Sequence, residues 1–191
     1  MAAVFVVALG SARPSAAQPV AHRWFGTIYF GPSTTKYFGA VLQKLNLEPT
    51  GAMIGLAANR PFLDLGWDVA LSSEIQVTQY FFGHSNTSFA AGLGFYANAP
   101  FGISGTSFSV YDGPSYALDP PYTSIGYSNH LWPSWRKKFL NYFSIEYAVT
   151  IPKAPDWAGV FRLYHRSGAF GLYSNGDDDG VAVGLGVRYA F

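Results

Sequence analysis

The chain ends in Asp156-Trp-Ala-Gly-Val-Phe-Arg-Leu-Tyr-His-Arg-Ser-Gly168, a loop rich in Gly, Asn and Asp, and Gly180-Val-Ala-Val-Gly-Leu-Gly-Val-Arg-Tyr-Ala-Phe191. This pattern predicts two strands that flank one loop. In the last strand, large apolar residues alternate with small or charged ones and so share one face: Val181, Val183, Leu185, Val187, Tyr189 and Phe191. Such alternation is typical of a strand with a single apolar face.

Two folds could use such a strand. A soluble sandwich would turn the apolar face toward a protein core, whereas a membrane barrel would turn it toward lipid. Charged residues make up only 12% of the chain and aromatic residues 18%, and this charged share is about half that of soluble proteins. The aromatic end at Phe191 resembles the last strand of bacterial outer-membrane barrels. We therefore predict an all-β, eight-stranded antiparallel transmembrane β-barrel of the bacterial outer membrane.

The composition also argues against several classes of function. The net charge of +1 gives nucleic-acid binding no electrostatic support. The chain has no cysteine, so it offers neither disulfides nor thiolate metal sites. We expect no metal and no cofactor.

The first residues have the features of a signal peptide. Residues 2–9 are apolar but too few to span a bilayer, and Ser15-Ala16-Ala17 is a small-residue cleavage site. The usual basic n-region is missing, which leaves open a start further upstream. We predict a signal peptide at 1–17 and one barrel domain at 18–191.

Eight strands can be counted in that domain, and eight is a common size for outer-membrane barrels. A short helix at 38–42 is predicted between the first two strands, and a turn at Arg60-Pro61 after the second. With both termini in the periplasm, short turns near Arg60, Pro100 and Lys153 fall on the periplasmic side, and the long loop 117–138 falls outside. The predicted strands are 24–31, 51–59, 66–82, 88–98, 105–116, 139–151, 157–167 and 181–191.

Alternation assigns the two faces of the strands before and within the closing hairpin. In 139–151, Phe143 and Ile145 share the face expected to meet lipid. A hairpin that turns near Ala154 sets Glu146 opposite Arg162, which predicts an ion pair inside the barrel. Glu74 has interior parity and is assigned to the same polar network. A charge on the lipid face would cost about 2–4 kcal/mol at mid-membrane depth, so these assignments are well constrained.

The same alternation places His165 and Ser167 on the lipid-facing side, near the outer membrane–water interface. The strand from Trp157 to Ser167 climbs roughly 23 Å along the membrane normal if it is tilted by about 45°. Asp179 has outward parity if the last strand extends that far, and pairing of the two strands can bring it beside His165. A serine, a histidine and a carboxylate would then form a candidate Ser-His-acid triad. The alternative is that these are ordinary polar residues of the interface.

The run Tyr164-His165-Arg166-Ser167-Gly168, followed at fixed spacing by Asn175 and Asp179, resembles the lipid A 3-O-deacylase (PagL) family of outer-membrane barrels. It is also similar to acyloxyacyl hydrolase-like outer-membrane proteins. The resemblance covers about 139–191. The family's His-x-Ser pair falls on His165 and Ser167, and its acid, twelve residues past the serine, falls on Asp179.

The resemblance implies an esterase that removes a 3-O-linked acyl chain from lipid A, so lipid A, or lipopolysaccharide, is the expected partner. Ser167 would be the nucleophile, His165 the general base, and Asp179 the acid that orients it, with Asp178 or Asp177 as substitutes. The oxyanion would be held by Asn175 and by backbone near Gly168. Phe143 and Arg166 are weaker candidates for substrate contacts.

The sequence differs from the family pattern at three positions, and these differences raise a second hypothesis for the function. The acid is an aspartate rather than a glutamate, Gly168 replaces an asparagine, and Ile145 replaces an aspartate. The alternative hypothesis is therefore a non-catalytic structural or interaction barrel with a decayed site. A small pore is a third hypothesis, weakened because eight-stranded barrels usually have filled interiors.

Overall fold

The computed structural model describes residues 23–34, 36, 38–44, 48–82, 85–119, 138–168, 173 and 178–191, with only the backbone at 42, 44, 178 and 179. The predicted leader 1–17, Asn175 and Asp177 lie outside these residues. One short helix, α1, spans Phe38–Lys44. The strands are β1 Phe25–Thr34, β2 Gly51–Gly66, β3 Val69–Phe81, β4 Asn86–Asn98, β5 Thr106–Ala117, β6 Phe139–Ile151, β7 Ala154–Ser167 and β8 Asp178–Ala190.

The eight strands form a closed antiparallel barrel in sequence order, as predicted. The barrel closes where β1 pairs with β8, and the Phe191 N–H extends this seam by donating to the Trp24 carbonyl at 2.9 Å. The register of the strands is staggered around the barrel. If one starts at Ala97 of β4 and moves from each residue to its partner on the next strand, one full circuit ends at Thr87 of β4. This ten-residue offset tilts the strands by about 45° in a barrel of eight.

The predicted turn at Arg60-Pro61 is wrong. β2 continues to Gly66, and the chain turns at Trp67 and Asp68, both of which have positive φ. Pro61 is tolerated inside β2 because the register with β3 shifts just after it, between Pro61 and Leu63. Such irregularities are where a sheet accepts a proline, which has no N–H to donate.

The outer wall is apolar and follows the predicted parity. Along β7, Phe161 is exposed whereas Arg162 is fully buried, and the alternation continues through the neighbouring strands. Aromatic side chains are exposed at the end that carries the termini, among them Trp24, Trp157 and Phe191. An apolar wall with aromatic residues at its edge is typical of barrels that face lipid. None of the described helices is long and apolar enough to cross a membrane.

The interior is filled by aromatic and charged side chains. Arg162 donates to Glu146 at 2.8 Å and to Glu74, so a single guanidinium bridges carboxylates from β3 and β6. Arg188 donates to the other oxygen of Glu146 at 3.2 Å. Four tyrosines are fully buried around this cluster: Tyr29, Tyr111, Tyr142 and Tyr164. The predicted Glu146–Arg162 pair is confirmed, and the filled interior argues against a pore.

We expect Arg162→Met to lower the free energy of unfolding by about 3–5 kcal/mol, because it leaves two buried carboxylates without their shared cation. Arg23→Met is the matched control, since the Arg23–Asp156 pair is about half exposed, and it should cost less than about 1 kcal/mol. Urea unfolding of the refolded barrel in detergent micelles measures both. Equal losses of unfolding free energy in the two variants would contradict the conclusion that the interior cluster is the main electrostatic interaction of the barrel.

Candidate functional site

His165 and Ser167 share the outer face of β7, at the end of the barrel opposite the termini. Across the β6–β7 pair, His165 lies opposite Phe143 and Ser167 opposite Asn141. His165 is only 8% exposed and Ser167 is half-buried. The predicted parity therefore holds, and a histidine and a serine stand two residues apart on the outer wall.

A β-bulge in β8 determines which residue of that strand lies opposite Ser167. Val181 lies opposite His165 and Asp178 lies opposite Ser167, so the backbone of Asp179 and Gly180 together faces the one residue between them. Gly180 has φ +80, a left-handed conformation that glycine adopts without strain. The bulge sets Asp178, rather than Asp179, opposite Ser167, and the position of the Asp179 side chain beside His165 stays a prediction. The side chains of Asp178 and Asp179 are outside the described part of the structure.

The bulge also sets which nitrogen of the neutral His165 ring carries the hydrogen. His165 Nδ1 lies 2.8 Å from the Gly180 carbonyl oxygen. A carbonyl oxygen can only accept a hydrogen bond, so Nδ1 carries the proton. In the neutral ring Nε2 is then the acceptor, which is the atom a general base needs. In a Ser-His-acid triad this Nδ1 proton is the one that the acid binds.

Helix α1 covers the histidine. The Phe38 ring is stacked on the His165 ring with centroids 5.1 Å apart and an angle of 25°, and it meets Phe143 edge-on at 5.8 Å. Val41 of the same helix is buried. The sequence predicted a short helix here, but its alternation and spacing held no signal that Phe38 would lie on His165.

Two other predicted site residues are placed by the structure. Arg166 is fully buried inside the barrel, where it donates to Ser115 Oγ at 2.9 Å and to the Lys138 carbonyl at 3.1 Å. It therefore lies on the opposite face from His165, and we assign it no substrate contact. Gly168 is buried directly after Ser167, and its carbonyl accepts from the Tyr173 N–H at 3.1 Å. Its role at an oxyanion remains a prediction.

Within the described ranges, no three residues among His, Cys, Asp and Glu come together in a way that could hold a metal ion.

Comparison with known proteins supports the fold. No family model and no curated protein matches the chain. Among solved structures, the crystal structure of the outer membrane enzyme PagL is similar, with a TM-score of 0.57 and 10% sequence identity. The alignment covers 86% of this chain and 98% of that one. This likeness agrees with the barrel architecture.

We expect Phe38→Ala to move the His165 ring-proton resonances downfield, because the ring current of the stacked phenyl group is lost. NMR of histidine-labelled protein in micelles measures the shift. Phe139→Ala is the matched control, since Phe139 lies on the same outer end and packs on Tyr173 at 5.3 Å. Unchanged His165 resonances in Phe38→Ala would show that the two rings are not stacked in solution.

Proposed function

We propose that this protein is an outer-membrane ester hydrolase that removes a 3-O-linked acyl chain from lipid A. The observation that carries the proposal is the pair His165 and Ser167 on the outer wall, with the imidazole held as the Nδ1–H tautomer by Gly180. The sequence resemblance to lipid A deacylases and the structural likeness to an outer membrane enzyme support the same conclusion.

The depth of the pair suits this substrate. Ser167 lies ten residues along β7 from the aromatic edge at Trp157, or roughly 23 Å along the normal. The apolar band of such barrels is about 25 Å tall, so Ser167 would lie at the outer headgroup level. The esters of lipid A lie at this interface, and the substrate would react without leaving the membrane.

The reaction would follow the serine hydrolase scheme. Ser167 Oγ attacks the ester carbonyl carbon while its proton passes to His165 Nε2. The carbon–oxygen bond to the sugar then breaks, and Nε2 returns the proton to the departing sugar oxygen. A water molecule hydrolyses the resulting acyl-serine by the same route, releasing the fatty acid and restoring Ser167. Backbone N–H groups near Gly168, together with Asn175, would stabilise the oxyanion.

The acid of the triad would come from the bulge. Asp179 is the residue that the family spacing indicates, and Asp178 is the residue that the register sets opposite Ser167. Because the Gly180 carbonyl already binds Nδ1, the acid would stabilise the charge of the imidazolium more than it would select the tautomer.

A non-catalytic barrel is the second candidate. It is favoured by the same contact, since a backbone carbonyl at Nδ1 is also what a structural histidine requires. The departures at Gly168 and Ile145 point the same way.

We expect lipid A from cells that express the wild-type chain to lose one 3-hydroxyacyl group, and Ser167→Ala to abolish this change. The loss of rate should be about 10³-fold or more, because no other group supplies the nucleophile. Mass spectrometry of extracted lipid A measures both. Ser85→Ala, in an exposed loop, is the matched control and should remain active. Identical lipid A with wild type, Ser167→Ala and empty vector would favour the non-catalytic barrel.

We expect the acid variants Asp178→Asn and Asp179→Asn to differ, with one of them slowing deacylation while the other stays close to wild type. The slower variant should lose less rate than Ser167→Ala, since the Gly180 carbonyl keeps the productive tautomer without the acid. Initial rates on purified lipid A in mixed micelles rank the three variants. A loss equal to that of Ser167→Ala would mean that the carboxylate, and not Gly180, sets the tautomer.

A further inference from the structure

The outer wall has a notch at the end of the barrel that carries the termini. Gly26 and Ala58 are paired directly across β1 and β2, and both are on the outward face. Larger outward side chains surround them, so the pair forms the floor of a groove of about 690 Å³. The groove is lined by residues that include Gly26, Ile28, Leu56, Ala58, Ile75 and Phe191.

The Phe191 ring forms one wall of the notch. A Cβ built on Gly26 would come within 3.1 Å of Phe191 Cε2, so the ring leans over the glycine. Ile28 and Leu56 are about half exposed and form the next outward pair away from the rim. The groove is therefore an open apolar depression whose lining extends from Trp157 on β7 to Phe89 on β4.

A cation, Arg60, lies next to this groove on the side of the rim. Arg60 lies two residues beyond Ala58 on the same outward face, or about 5 Å along the axis of a strand tilted by about 45°. Arg60 is exposed, and its guanidinium carbon lies 5.6 Å from the centroid of the Trp24 ring. Among the residues that the structure describes, no carboxylate forms an ion pair with Arg60.

We propose that the notch and Arg60 form a binding site for one anionic glycerophospholipid of the inner leaflet. An acyl chain would lie in the groove over Gly26 and Ala58, and the phosphate would accept hydrogen bonds from Arg60. A cation without an ion-pair partner in the described part of the chain, beside an apolar groove, matches the anionic headgroup and the apolar chain of such a lipid. A second copy of the chain fits less well, because a twofold contact centred on the groove would bring two Arg60 cations together.

This site is independent of the reaction proposed for Ser167. It lies at the opposite end of the barrel, on β1 and β2, and would bind lipid whether or not the protein is an enzyme.

The test is native mass spectrometry of the full chain refolded in detergent and titrated with dioleoylphosphatidylglycerol or with dioleoylglycerol, which lacks the phosphate. We expect one tightly bound phosphatidylglycerol and about tenfold weaker binding of dioleoylglycerol. Ala58→Phe fills the notch and Arg60→Gln removes the charge, and each should weaken phosphatidylglycerol binding by about tenfold.

Two controls match these variants. Ala97→Phe adds the same bulk at another half-buried outward alanine, and Lys153→Gln removes an exposed charge from a turn at the same end. Both should bind as the wild type does. Equal binding of the two lipids, unchanged binding in Ala58→Phe and Arg60→Gln, or dimers that disappear in Ala58→Phe would overturn the proposal. If Ala58→Phe fails to show the heat-dependent gel shift of a folded barrel, Arg60→Gln and the two-lipid comparison decide.

Discussion

The shared guanidinium of Arg162 is the interaction on which the barrel depends most. A closed sheet of eight strands must fill its interior, and a buried charge there is tolerated only when it is paired. Arg162 on β7 meets Glu74 on β3 and Glu146 on β6, and Arg188 on β8 completes the cluster. These ion pairs thus connect four strands, β3, β6, β7 and β8, at one height inside the barrel.

This tie fixes which residues face outward. A slip of one residue would move every side chain of a strand to the other face and would carry Arg162 into the apolar wall. With Arg162 inside, Phe161, His165 and Ser167 must lie outside. The candidate site on the wall is therefore a consequence of the polar centre, although the two share no residue.

The parts that the sequence could predict are those that alternation controls. The eight strands, the inward Glu146 and Arg162, and the outward His165 and Ser167 all follow from a period of two. The sequence could not predict the places where this two-residue alternation is interrupted. The sequence predicts that β2 ends at Asn59, before a turn at Arg60-Pro61, because proline usually stops a strand. The register shift beside Pro61 lets β2 continue. The bulge at Gly180 likewise sets Asp178, and not Asp179, opposite Ser167. Phe38 reaches His165 through packing of a helix on a sheet, which has no local signature.

The seam between β1 and β8 constrains how the barrel can assemble. The two strands of this seam are the first and the last of the barrel, and its last backbone bond joins Phe191 to Trp24. While translation is incomplete, β1 has no partner on one side, and the growing sheet exposes two unsatisfied edges that can pair with other chains. The cylinder can close only once β8 reaches β1, so these two edges must be shielded from other strands until they pair.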